Sequence, residues 1–407
     1  MKYPIFALIP SGYKNFKLYS VLPENGDADM TINRGSSASR VNKDGLIEQV
    51  EYYQPRLDYS DSECPSLLIE DAATNLMPYS EDFTQGWNNF NITDTANAEI
   101  APNGALEATK LERTLSSACY TTDSFSKATS AKTYTSSVFV KQGDTPYFAV
   151  RSQGQYPARV DLRFEFATKS IYSATMFGSI FSDLTHKVEE YANGWFRLSW
   201  TYTTDTANIL TGVSMSPRFI DGDADSNDED HGYVYVWGAQ CEEFIASTSY
   251  IPTTGTSATR NSDVTETNPV LGDLIDSKKG TMYAEIAATD NVGSFQSVRL
   301  CLDGSRTDNS IKFIFSYGGV RVVYRVAGTS TLDWSTVADI TEFQKFSISW
   351  SEDELVVVVN GEVVATLPLP YLLSGLDLLD AYGGVKIKDW RVWDEVLTQE
   401  ELIELTS

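Results

Sequence analysis

Between Asp221 and Asp230 the chain reads DGDADSNDED, with five Asp, one Glu and no basic residue. Carboxylates so close repel one another, each pair about 4 Å apart costing about 1 kcal/mol even at the dielectric of water. Hard oxygen ligands at alternate positions suit Ca²⁺. Asp221, Asp223 and Asp225 stand at the first, third and fifth places of an EF-hand-like loop. The match ends there, because Ser226 replaces the glycine that such a loop needs and Gly232 stands where a bidentate Glu belongs. The expectation is a calcium site made by Asp221, Asp223 and Asp225 with Asp228 or Asp230. The alternative is a solvated acidic tip that holds no ion.

Other catalytic chemistry is sparse. His186 and His231 are the only histidines, and neither lies beside a nucleophile motif, which argues against a Ser-His-Asp triad or a His-rich metal site. No Gly-rich phosphate loop, C-x-x-C pair or H-E-x-x-H stretch occurs. The E-x-D-x-x-E strand motif of lectin-fold glucanases is missing too, although a pair of carboxylates for glycoside cleavage can hide anywhere among 56 acids. The chain is therefore read as a non-enzyme. Aromatic rings that stack on a sugar must lie in loops, because Trp200, Trp237, Trp350, Trp390 and Trp393 sit in strand patterns and serve the core. Trp87 in TQGWNNF, Tyr156 in SQGQYPA and Trp334 in TLDWSTV are the candidate sugar-binding rings.

The elements that must position these residues read as strands. At 407 residues the chain exceeds what one core holds, so two or three domains are expected. Aromatics make up 12%, with 22 Tyr, and Thr, Ser, Gly and Val recur as strand and turn material. The formal charge of -25 repels a phosphate backbone and so argues against nucleic acid, while favouring solubility and divalent cations. No membrane span is visible: the apolar run at the start is five residues between Pro4 and Pro10, too short for a signal-peptide core, so the mature chain is expected to begin near Met1. Cys64, Cys119, Cys241 and Cys301 show no paired spacing and are read as reduced.

Three pieces follow. Residues 1–72 are dense in Pro and Gly and weak in alternation, as extended strands ordered against a partner or neighbouring subunit would be. Residues 73–256 hold clear strands: in ARVDLRFEFAT, Val160, Leu162, Phe164 and Phe166 alternate with Arg159, Asp161, Arg163 and Glu165, and WFRLSWTYTT repeats the pattern. The small, polar stretch after Ser247 reads as a linker, and its SATRNSDV echoes SASRVNKD at Ser37–Asp44. Residues 263–407 bring further strands, a hairpin whose Asn360-Gly361 turn fits type I′, and a final helix with a Thr398/Glu401 capping box and a Leu397/Leu402 staple.

Within the first piece, RVNKDGLIEQVEYYQPRLDY followed by CPSLLIEDAATNLMPYSEDF carries Arg40, Val41, Asn42, Gly45–Glu48, Pro55–Tyr59, Leu68–Glu70, Thr74–Leu76 and Tyr79–Phe83. This run resembles the N-terminal signature of phage virion proteins described as head-spike or tail-fibre domain proteins, with Ser39 in place of the usual Thr. NGWFRLSW, WGAQCE and SYIPT match the same family, in a domain similar to carbohydrate-binding modules. The NGE hairpin, the Trp-rich strand and L-T-x-E-E-L resemble a laminin-G or concanavalin-A-like lectin sandwich. The acidic insertion is no part of that pattern.

The sequence thus predicts an all-β protein: an extended N-terminal anchor over residues 1–72, a jelly roll over 73–256 and a concanavalin-A-like sandwich over 263–407. The resemblance implies a spike or fibre on the virion surface, homotrimeric, joined to other virion proteins through its N-terminal region and binding bacterial surface glycans. A polysaccharide hydrolase with accessory modules and a decoration protein without a ligand are the alternatives.

Overall fold

The structure, a computed structural model, describes residues 3–10, 13–14, 17–18, 30–228, 231–267, 271–291, 296–302, 305–316, 318–369 and 371–407. Strands dominate, and the chain divides into two compact units: one takes in residues 1–43, 49–72 and 261–407, the other residues 44–48 and 73–260.

The middle unit is a sandwich of two six-stranded antiparallel sheets. One sheet runs in the order Asn88–Phe90, Tyr120–Ser126, Leu210–Arg218, Tyr147–Gln153, Arg159–Glu165 and Ser170–Phe177. The other runs Ile92–Ile100, Leu106–Arg113, Tyr233–Glu242, Lys132–Gln142, Trp195–Thr204 and Phe181–Tyr191. Because successive side chains in a strand point to opposite faces, Val160, Leu162 and Phe164 enter the core with Val138, Val150, Leu198, Trp200, Val213 and Val236. Arg159, Asp161 and Arg163 fall on the opposite side of the sheet.

Residues 247–260 are not the loose linker that their composition suggests. Tyr250, Ile251 and Thr253 are buried, and Ala258–Arg260 pairs antiparallel with Ala73–Asn75. Asn75, fully buried, supplies the reason: its amide nitrogen donates to the carbonyls of Ala239 (3.1 Å) and Ile251 (2.9 Å), and its carbonyl oxygen accepts from the Cys241 amide at 3.1 Å. One buried side chain so satisfied fixes strand and strap together.

The other unit holds an eight-stranded and a five-stranded sheet around a second core. Its eight-stranded sheet follows the order Glu362–Pro368, Glu354–Val359, Gln344–Trp350, Gly280–Ala288, Val385–Trp393, Ser66–Ile69 and Arg56–Asp58, while Phe6–Leu8 also pairs with Val385–Trp393. The first 72 residues therefore do not form a separate extended anchor. Phe6–Leu8, Arg56–Asp58 and Ser66–Ile69 join the sheet built by C-terminal strands of the same chain, and Phe6, Leu8, Leu67 and Ile69 sit in one core with Met282, Ile387 and Val392. Short strands with little alternation cannot close a core alone, but they complete a sheet that already has one.

Buried ion pairs hold this arrangement. The Arg34 guanidinium donates to Asp263 (2.7 Å) and to the carbonyls of Glu51 (2.8 Å) and Gln54 (3.1 Å), while Arg56 pairs with Glu70 (2.6 Å) and with Asp263. Burial acts against the Arg56 cation, yet the neighbouring Asp263 and Glu70 outweigh it and hold its pKa above the ordinary value. Arg56, Asp58, Glu70 and Asn75 belong to the signature stretch, whose motifs here form the joints that tie distant segments together.

Local signals formed as read. Asn360 and Gly361 take positive φ of 49° and 80° at the hairpin turn, as type I′ requires. Thr398 caps the helix Gln399–Thr406 in a capping box with Glu401, and Leu397 and Leu402 are buried together. All four cysteines are free, with Cys64 exposed and the others buried. No helix among the described residues is long and apolar enough to cross a membrane.

Candidate functional site

The side of the Arg159–Glu165 sheet turned away from the core carries a lattice of charges. Asp161, only 1% exposed, accepts from Arg159 Nε (2.7 Å) and from Arg151 Nη2 (3.1 Å), and Arg151 Nε also reaches it. The opposite edge of Arg151 meets Asp225 bidentately, Nη1 to Oδ2 at 2.8 Å and Nη2 to Oδ1 at 2.9 Å. Arg163 holds two more carboxylates, Asp223 by Nε at 3.0 Å and Asp221 by Nη1 at 3.0 Å. Tyr172 donates its hydroxyl to Asp221 at 2.7 Å.

These pairs overturn the premise on which the calcium site rests. The acidic stretch holds no base of its own, but Arg151, Arg163 and Arg218 reach it from neighbouring strands and pair with Asp221, Asp223, Asp225 and Asp228. Asp228 accepts from the amides of Phe219 (2.7 Å) and Ile220 (2.9 Å) and pairs with Arg218 at 3.3 Å, so it closes the loop on itself. Asp221, Asp223 and Asp225 each turn oxygens onto a guanidinium, and among the described residues no group of three or more His, Cys, Asp or Glu is placed to hold a metal ion. This ligand set does not fit Ca²⁺, which needs oxygens converging on one point. Asp230 lies outside the described residues.

Electrostatics agree with geometry. The hydrogen bond from Arg151 comes first among the influences that hold the Asp225 carboxyl below its usual range. Burial works against the Arg151 cation, but Asp225 and Asp161 outweigh it and raise its pKa. A carboxyl held below its usual range is a poor proton donor, so Asp225 is not suited to general acid catalysis of glycoside cleavage.

Of the three candidate sugar-binding rings, one belongs to this neighbourhood. Tyr156 is 74% exposed in the turn joining Tyr147–Gln153 to Arg159–Glu165. Trp87 is buried: it packs on Phe83 at 4.7 Å between centroids and donates Nε1 to the Tyr79 carbonyl at 3.0 Å, so TQGWNNF is a packed corner and no platform. Trp334 lies in the strand Thr329–Val337 of the other unit, half-buried against its core. Sequence reasoning missed Phe177, which stacks under the Arg159 guanidinium at 3.9 Å and leaves part of its ring exposed. A signal was available, since four charges alternating through R-V-D-L-R-F-E on one side of a strand exceed what solvation requires.

At the Tyr156 end of the sheet, Arg159 is fixed by Asp161 below, by the Pro157 carbonyl at 3.1 Å and by Phe177, and no described residue takes its remaining Nη2. Two aromatic faces, an arginine edge and the exposed carboxylate oxygens of Asp221 and Asp225 can thus meet the apolar faces and hydroxyls of a sugar.

Comparison with known protein families and with curated proteins finds no match for the chain. Among solved structures it aligns with the CBM40 domain of the Ruminococcus gnavus IT-sialidase at 19% identity and a TM-score of 0.29, over 34% of this chain and 88% of that one. It aligns with the Caenorhabditis elegans galectin LEC-6 at 16% identity and 0.23, over 28% and 83%. The botulinum neurotoxin serotype D binding domain aligns at 13% identity and 0.28, over 35% and 40%.

Proposed function

We propose that this chain is a non-catalytic, glycan-binding spike or fibre protein of a phage virion, and that it binds bacterial surface glycans on the outer face of the Arg159–Glu165 sheet. The observation that carries the binding site is the fixed Arg159, stacked on Phe177 and backed by the buried Asp161, three residues after the exposed Tyr156 of the adjoining turn. Groups held this firmly lose little freedom when a sugar arrives. The virion role rests on the ordered N-terminal signature. In this reading the protein is a homotrimer whose both-termini unit faces the particle and other virion proteins, so that several weak heads act together by avidity.

The test is a glycan array of capsule and lipopolysaccharide fragments probed with the full chain, together with mass measurement and electron microscopy of particles. Array binding, a trimer mass and spikes on particles support the proposal. A monomer that binds no glycan and never attaches to particles contradicts it.

A further inference from the structure

A second polar face lies in the both-termini unit, on the side of the five-stranded sheet turned away from the core. Along Ser305–Ser316, Ile311, Phe313 and Phe315 enter the core, so Ser310 and Lys312 point to the other side. Lys312 stands directly opposite Arg299 in the antiparallel register, and Ser310 directly opposite Arg325. Like charges in direct cross-strand register destabilise a sheet. In a chain of net charge -25 this cluster is out of keeping with its surroundings.

Two of the three cations are provided for. Arg299 is held by Asp380, with Nη2 to Oδ2 at 2.7 Å, and Arg325 reaches the Ser330 hydroxyl at 3.3 Å. Lys312 is only 9% exposed, and no described residue accepts a hydrogen bond from it. The hydroxyls of Ser297 and Ser310 on the same face are also buried without a partner. Burial, then Arg299 and Arg325, push the Lys312 pKa down. Asp380 is the nearby anion, but it is taken by Arg299, so a buried cation between two guanidinium groups, with unpaired hydroxyls around it, has no hydrogen-bonded anion of its own.

We infer that this face is a second ligand site, separate from the one proposed above, and that its ligand is an acidic saccharide. The oxyanion of the sugar lies at Lys312 between Arg299 and Arg325. The ligand is longer than an inorganic anion: Ser297 pairs with Ile314, and Ser310 pairs with Cys301, four residues further along the strand from Ser297. At about 3.4 Å per residue the two hydroxyls are roughly 14 Å apart, which suits an oligosaccharide of more than one ring.

Calorimetric titration of the full chain with trigalacturonate, chondroitin sulfate tetrasaccharide, maltotriose and sodium sulfate tests the inference, for wild type, Lys312→Met and Tyr156→Ala. At least one acidic oligosaccharide should bind the wild type, weaken with salt and lose roughly tenfold or more in affinity in Lys312→Met. That binding should be unchanged in Tyr156→Ala, which separates this site from the first. Without ligand, Lys312→Met should melt no lower than wild type, because it removes an unpaired buried charge. Failure of both acidic oligosaccharides to bind, equal binding by Lys312→Met, Lys312-dependent binding of sulfate alone, or a lower melting temperature for unliganded Lys312→Met would each overturn the inference.

Discussion

Arg56 and Asp263, 207 positions apart in sequence, form an ion pair whose side chains are 0% and 1% exposed. The same carboxylate takes Arg34 from a third segment and the Glu70 amide at 3.0 Å, so one buried charge gathers four stretches of chain. Removing one partner from such a cluster leaves charges in a medium that solvates them poorly. Asp263→Asn should therefore cost about 3–5 kcal/mol in chemical denaturation. The exposed pair Lys169–Glu190, at 53% and 59%, is the control, and Lys169→Ala should cost less than about 1 kcal/mol.

Truncation separates an appended anchor from a woven one. A chain lacking residues 1–72 loses Phe6, Leu8, Leu67 and Ile69 from its core and Arg34, Arg56 and Glu70 from its ion cluster. The both-termini unit should then lose its cooperative melting transition, while the middle unit, which loses only residues 44–48, keeps one of its own. Retention of both transitions in scanning calorimetry would mean that these segments are dispensable additions.

How much of this was legible in the sequence depended on range. The Asn360-Gly361 turn and the Thr398/Glu401 cap are settled within a few residues, and both formed as read. Alternation in ARVDLRFEF identified the core side of its strand correctly. The arginine partners of the acidic loop were out of reach of the sequence because they are remote: Arg151 lies 74 positions from Asp225, and Arg163 lies 60 from Asp223. Trp87 misled for a related reason, since a Gly-flanked ring looks solvent-facing until Phe83 and the Tyr79 carbonyl are folded against it.

The arginine pairs give the acidic loop a distinct response to metal. Asp221, Asp223, Asp225 and Asp228 already have guanidinium partners that calcium would have to displace, so melting temperatures in calcium and in chelator should coincide. Arg151→Gln should lower the melting temperature in both solutions, and a rise of the wild-type value with calcium would restore the metal site.

A pH titration reads the same contact. Asp225 has its folded pKa depressed by Arg151, so the stabilisation is complete above the unfolded carboxylate value of about 3.9 and is lost as pH falls through the lower folded value. Hydrogen exchange of the amides in 221–228 should be flat from neutral pH down to about 4, after correction for intrinsic rates, and should accelerate below it. In Asp225→Asn the protection should already be reduced at neutral pH.

The binding face itself is tested most directly by pairing an exposed ring with a buried one. Equilibrium affinity for the best-bound array glycan, measured beside unfolding free energy, should fall roughly tenfold in Tyr156→Ala and in Arg159→Ala, and Tyr156→Ala should change stability by less than about 0.5 kcal/mol. Trp87→Ala should do the reverse, costing about 3–5 kcal/mol of stability while the folded fraction keeps its affinity. Unchanged affinity in both Tyr156→Ala and Arg159→Ala would contradict the claim that this face of the sheet binds glycan.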